Sequence, residues 1–165
     1  MTVKRFIVIF VSRRNTLRSI LAQACLSHLG GDRFAAHSCG HPAQLGTAIH
    51  PAASRALASA HMPVPAIRPH GWNELTLGSA PHANFVITLD AEMLALQPRW
   101  PGQPDHALWD FPDVAAIDDL DEATRAALQM LYALRRRLEL LTSLPLQGGD
   151  REAIRSDVRD LAHMQ

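Results

Sequence analysis

The run Phe6-Ile7-Val8-Ile9-Phe10-Val11-Ser12-Arg13-Arg14-Asn15-Thr16-Leu17-Arg18-Ser19-Ile20-Leu21-Ala22 decides the fold. It opens with six apolar residues, four of them β-branched (Ile7, Val8, Ile9, Val11). An unbroken apolar run of this kind suits a strand buried on both faces, as a parallel sheet flanked by helices demands. A polar stretch follows, and from Thr16 apolar residues recur at helical spacing: Leu17, Ile20, Leu21, Ala24, Cys25 and Leu29, closed by Gly30-Gly31. The segment reads as strand, loop, helix. In open α/β sheets ligands bind beyond the carboxyl ends of the strands, where the N–H groups of the following helix point at them. Arg18 lies six positions after Ser12, enough backbone to curl round an oxyanion while a guanidinium closes over it.

With 165 residues the chain suffices for one domain with a core of its own. Its 47% hydrophobic and 19% charged residues exclude a disordered chain. Zero net charge gives no support for a nucleic-acid or membrane surface. The longest apolar run is too short to span a bilayer. Lys4 and Arg5 ahead of the first apolar run mimic a signal peptide, but the run ends in Ser12-Arg13-Arg14-Asn15 without a small-residue cleavage site. The expectation is a cytoplasmic protein. Cys25 and Cys39 cannot build a disulfide framework and read as core thiols. The nine histidines lack zinc-like spacing, so neither a metal nor a cofactor is expected.

Outward from the opening unit, residues 33–38 read as a second strand. A helix opens at His50-Pro51, with proline where its missing N–H costs nothing, and runs to about His61. Pro63, Pro65, Pro69 and Gly71 mark a stiff loop, followed by a short helix over 72–77. Asn84 to Leu89 forms a buried strand ending at Asp90, then a helix runs over 91–96 and stops before Pro98. Ala107 to Asp110 reads as the last strand. The carboxylates Asp118, Asp119, Asp121 and Glu122 suit a helix N-terminus. That helix runs to about Ser143, with Ala123, Ala127, Met130, Leu131, Leu134, Leu138 and Leu141 on its core face and Arg135-Arg136-Arg137 on a solvated one. Beyond Pro145 and Gly148-Gly149, residues 150–163 read as a short charged helix. The β-α-β-α-β-α-β-α order predicts a three-layer α/β/α domain with a central four-stranded parallel sheet over 1–144, and a C-terminal extension over 145–165.

Ser12 to Ser19 resembles the phosphate-binding loop of low-molecular-weight protein tyrosine phosphatases and of the thioredoxin-coupled arsenate reductases built on the same fold. That loop has the form Cys, five residues, Arg, Ser or Thr, commonly CTGNSCRS. Asn15, Arg18 and Ser19 match, Thr16 is a mild change, and Ser12 stands where the family has its nucleophilic cysteine. Ser38-Cys39-Gly40, His50-Pro51 and Phe111-Pro112-Asp113 follow in the family's order, so the resemblance covers about residues 4–142. It implies an oxyanion site on Arg13, Arg14, Asn15, Thr16, Leu17, Arg18 and Ser19, with Ser12, Arg18 and Asp113 at the catalytic positions. Asp113 matches the general acid, although Val114 replaces the proline that usually stiffens it. Asp90 (or Leu89) and Gln97 occupy the places of the reductases' relay cysteines, so that relay is absent.

In the family the cysteine reacts as a thiolate, its pKa lowered by the helix terminus, the N–H cradle and the arginine. A serine hydroxyl is far less acidic, and no histidine adjoins Ser12 in sequence to act as its base; by analogy His41 and His82 lie nearest in space. Arg13 and Arg14 replace Thr and Gly, so Arg14 either distorts the loop or projects outward as a solvated charge. The leading expectation is a catalytically impaired relative that binds phosphate, sulfate or an arsenate-like oxyanion, or a phosphorylated protein. One alternative is a working tyrosine phosphatase, its serine either activated by an unusual base or introduced deliberately; a deliberate change would not also bring Arg14 and Val114. Another is a regulatory or structural module with a vestigial loop. The sequence leaves the oligomeric state open.

Overall fold

The computed structural model describes residues 5–146 and 151–164. Four strands, β1 (Phe6–Val11), β2 (Phe34–Cys39), β3 (Phe85–Thr88) and β4 (Asp105–Leu108), form one parallel sheet in the order β2-β1-β3-β4. Four α-helices accompany them: α1 (Arg18–Gly30), α2 (Pro51–Ser59), α3 (Leu120–Ser143) and α4 (Arg151–Asp160). β1 is central and pairs with β2 on one side and β3 on the other, which explains why both of its faces are apolar.

The two-residue period of the strands divides the core. Val8, Phe10, Phe85 and Ile87 face α1, α2 and α3, whose buried residues include Ile20, Leu21, Ala56, Leu57, Leu131, Leu134 and Leu138. Ile9, Val11 and Val86 face the opposite way, onto Trp72, Met93 and Trp100. The covering layer there consists of short 3-10 turns, Trp72–Leu75 and Ala91–Leu96, in place of the regular helices expected over 72–77 and 91–96. The carboxyl ends of β1, β3 and β4 lie side by side, and the loops that leave them share one edge.

Several expected boundaries shift. α1 starts at Arg18 and stops at Gly30, where Gly31 takes φ 55°, the left-handed conformation that glycine adopts freely. α2 ends at Ser59, short of His61, and its N-terminus is capped by the His50 ring, which accepts from the Ala52 amide at 3.0 Å. The last strand begins at Asp105 rather than Ala107. Its polar start, Asp105-His106, is paired with Phe85 and Val86, and Asp105 is held by Arg155 at 2.8 Å and Arg151 at 3.3 Å.

One sequence reading is overturned. Arg137, expected on the solvated face of α3, is buried. Its guanidinium lies over the Phe111 ring at 4.6 Å and the Trp109 ring at 5.7 Å, and Nη2 donates to the Met164 carbonyl at 3.1 Å. Burial, reinforced by Arg136, lowers its pKa. α4 places Ile154 and Val158 in the core shared by α1 to α3, and the Trp109 indole donates to the Val158 carbonyl at 3.1 Å. The expected break at Gly148-Gly149 and the N-terminal Lys4 lie outside the described residues. No helix of the described residues is long and apolar enough to cross a membrane.

Candidate functional site

Residues 12–17 leave the carboxyl end of β1 and pass into α1 as a tight loop in which all but Arg13 and Arg14 are buried. Ser12 is 2% exposed, Asn15 and Ser19 are fully buried, and Thr16, Leu17 and Arg18 nearly so. The loop's carbonyls are taken up from outside: Arg13 O accepts from the His41 amide at 2.9 Å, Arg14 O from Gly46 at 3.1 Å and Thr16 O from His50 at 2.9 Å. The Ser12 amide donates to the Cys39 carbonyl at 3.1 Å. No amide from Arg13 to Ser19 donates to a backbone carbonyl among the described residues. A loop whose C=O groups are tied outward and whose N–H groups are not is a candidate receptor for negative charge.

Asn15 takes the tight turn, with φ 55°. Asparagine tolerates this region better than most residues, and here it is also tied on both sides of its amide. Its Oδ1 accepts from the His70 amide at 3.2 Å, and its Nδ2 donates to Ser19 Oγ at 2.8 Å and Ser38 Oγ at 2.9 Å. Ser38 donates onward to Gln23 Oε1 at 2.5 Å, and Ser12 Oγ lies 2.7 Å from Ser19 Oγ. Arg14 is exposed and is not among the residues with positive φ, so the chain turns without a glycine at this position. Gly40 supplies the room instead: a Cβ there would meet Arg13 O at 2.8 Å and Asn15 N at 3.0 Å.

Arg18 does not stand alone above the loop. Its Nη2 donates to Asp90 Oδ2 at 2.9 Å and its Nη1 to the Phe111 carbonyl at 2.9 Å, which ties the loop after β1 to those after β3 and β4. A guanidinium has five N–H donors, so these bonds leave three. Arg13 shares the same carboxylate oxygen at 3.3 Å and also pairs with Glu92; burial weighs against its charge, but the two acids outweigh burial and raise its pKa. Asp90 Oδ1 accepts from the Glu92 amide at 3.0 Å.

The other expected site residues are placed less tightly. Asp113 is exposed, two positions beyond the carbonyl that holds Arg18, and no hydrogen bond or ion pair links its side chain to the loop among the described residues. Gln97 bridges Thr88 and the Trp100 indole, a packing role. His41 lies beside the loop, its ring 4.9 Å from that of Trp72, whereas His82 precedes β3 and so sits at the opposite edge of the sheet. Sequence reasoning missed Asp90 as the partner of Arg18, and it missed Ser38 and Gln23. Gln23 stands four residues after Ser19 on the same face of α1, a spacing that signals a shared network.

Comparison with known proteins identifies the family and the fold. Residues 7–109 match the profile described as low molecular weight phosphotyrosine protein phosphatase, and the chain belongs to that family. No individually curated protein matches it. Among solved structures it resembles an arsenate reductase in the phosphate-binding state (TM-score 0.66, 22% identity, covering 84% of this chain and 97% of that one). It also resembles an arsenate reductase from Archaeoglobus fulgidus DSM 4304 (0.64, 20%, 83% and 99%). The low molecular weight protein tyrosine phosphatase from Streptococcus pyogenes is a third (0.57, 16%, 90% and 97%). At these identities the likeness is one of fold.

Proposed function

We propose that residues 12–19 bind a tetrahedral oxyanion and that the protein acts as a phosphate-loop binder without ordinary turnover. The observation that carries this reading is the division of the loop backbone, with carbonyls pinned by His41, Gly46 and His50 and amides left to a ligand. Phosphate, sulfate and arsenate share the required shape and charge, and a phosphorylated protein presents the same group, met in the cytoplasm. Impairment follows from the nucleophile. The Ser12 hydroxyl neighbours only another hydroxyl, that of Ser19, and no histidine hydrogen-bonds to it among the described residues. Without a base or an acidic thiol, the attack that forms a covalent phosphoenzyme has no driving group.

The engagement of Arg18 with Asp90 and Phe111 favours a second reading, a module whose loop is vestigial. Hydrolysis of p-nitrophenyl phosphate and phosphate binding, measured for the parent, Ser12→Cys and Arg18→Ala, separate the two. The binder reading expects phosphate affinity in the parent, its loss in Arg18→Ala, and hydrolysis only in Ser12→Cys. Absence of affinity in every version leaves the vestigial module, and parent turnover that Ser12→Ala abolishes establishes a working phosphatase instead.

A further inference from the structure

The loop after β1 makes no use of the free edge of the sheet or of the last helix beside it. β4 is the outermost strand and pairs with β3 alone. Its Asp105 and Trp109 amides donate to the Asn84 and Thr88 carbonyls at 3.0 Å and 2.8 Å, so the two-residue alternation turns the N–H and C=O of His106 away from the sheet. No backbone hydrogen bond takes up either group among the described residues, and His106 is exposed. An open edge of this kind is suited to the main chain of another extended segment.

Grooves flank this edge on both faces of the sheet. On the face that carries α1 to α4, a groove of about 390 Å³ runs between Gln103 and His106 on one side and Arg151, Arg155 and Arg159 of α4 on the other. On the opposite face, a groove of about 470 Å³ is walled by Pro98, Arg99, Trp100 and Pro104. Charge is sorted along with shape. The three arginines of α4 meet a single carboxylate, Asp105, whose oxygens are held by Arg155 at 2.8 Å and Arg151 at 3.3 Å. Arg159 has no ion pair among the described residues. The helix's own acids Asp157 and Asp160 line its other side, towards Leu140 of α3. The zero net charge of the chain thus conceals a local excess of positive charge beside an unpaired strand edge.

We infer that the edge of β4 and the arginine face of α4 form a docking groove for an extended acidic peptide of a partner protein. The peptide adds as a strand beyond β4 and lays alternate carboxylates against Arg151, Arg155 and Arg159. Arginines four residues apart step by about 6 Å along a helix. Alternate side chains of a strand step by about 6.6–6.8 Å, so three carboxylates match three arginines. The intervening side chains fall on the other face, towards Pro98 and Pro104, where short apolar groups fit. A nucleic acid would use the arginines but would leave the main-chain edge unpaired. The arginines of α4 lie beyond residues 7–109, the part of the chain that matches the family profile, and the groove does not depend on the oxyanion-binding reading.

The test is a titration of the isotope-labelled full chain with an acetylated, amidated pentapeptide, glutamate at its first, third and fifth positions and valine between, followed through amide chemical shifts. Saturable shifts are expected at His106, Leu108 and along α4, with residues 12–19 unmoved. Glutamine in place of all three glutamates is expected to weaken binding about tenfold or more. Arg159→Gln is expected to weaken the glutamate peptide about threefold without changing the melting temperature, since one exposed charge pair contributes little alone. His106→Pro removes the outward N–H and leaves the ladder to β3 in place, and it is expected to weaken binding about tenfold. Shifts confined to residues 12–19, no saturable shifts, equal affinity for the two peptides, or undiminished affinity in Arg159→Gln each overturn the inference, and none of these needs the proline variant to fold. An oligouridylate that binds the groove more tightly than the glutamate peptide overturns it in favour of a phosphate backbone.

Discussion

Arg18 and Asp90 meet at 2.9 Å with side chains 7% and 8% exposed, so the arginine expected to close on a ligand is also the counter-ion of a buried carboxylate. Removing one member of such a pair strands the other in a low-dielectric site, at a cost of about 3–5 kcal/mol. Asp90→Ala should lower the urea unfolding free energy by the lower part of that range, because Arg13 competes for the same oxygen and Arg18 keeps the Phe111 carbonyl. Asp90→Asn should cost less. A loss below about 1 kcal/mol for Asp90→Ala would show that the pair does not hold the loops together.

Gly40→Ala tests the packing that shapes the loop. The added methyl would press on backbone atoms, Arg13 O at 2.8 Å and Asn15 N at 3.0 Å, and neither can swing aside as a side-chain end can. A destabilisation of about 1–3 kcal/mol is expected, with loss of phosphate affinity. Thermal melts and calorimetry read both, and wild-type values for both would show that this close approach is dispensable.

Stability should fall on mild acidification. Burial lowers the pKa of His37, helped by His70, and burial likewise lowers that of His106, where Arg159 adds to it and Asp105 opposes it. A folded-state pKa below the unfolded value of 6.5 means that the unfolded chain binds protons first. The contribution of these histidines is complete above that pH and is lost as pH falls through the depressed folded values. Urea midpoints measured from about pH 7.5 down to about pH 5.5 should decline, and His37→Gln should flatten part of the slope.

The attachment of α4 can be read through a single tryptophan. Val158 is 2% exposed, and its carbonyl accepts from the Trp109 indole. Val158→Asp would bury a carboxylate without a partner, and lifting the helix away relieves that penalty. With Trp72 and Trp100 replaced by Phe so that Trp109 alone emits, its emission should shift to the red, and the melting temperature should drop by several degrees, about 1–2 kcal/mol for a domain of this size. An unchanged spectrum would mean that α4 contributes nothing to the Trp109 environment.

The opening strand, loop and helix are legible because a doubly buried parallel strand must be apolar at every position, and Phe6 to Val11 meets that demand before the pattern turns helical at Leu17. β4 was misplaced by two residues because Asp105 and His106 look like loop. Their strand pairing is compatible with an edge position, where Arg151 and Arg155 of a distant helix neutralise Asp105. Arg137 was hidden in a run of three identical residues, yet it falls three positions after Leu134 and four before Leu141 on the buried face of α3. That rotation was available in the sequence. The pairing of Arg18 with Asp90 was not, since it depends on β3 lying next to β1, and strand order is settled by packing across the whole sheet.

Burial favours the protonated form of both thiols: that of Cys25 is pushed up to about 12, and that of Cys39, whose carbonyl anchors the Ser12 amide, is raised strongly. Peroxide attacks thiolates, and a loop floored by a hydroxyl offers it none. The anion binding proposed for residues 12–19 would therefore rest on no sulfur that an oxidant could reach, since Ser12 is a hydroxyl and Cys39 is fully buried.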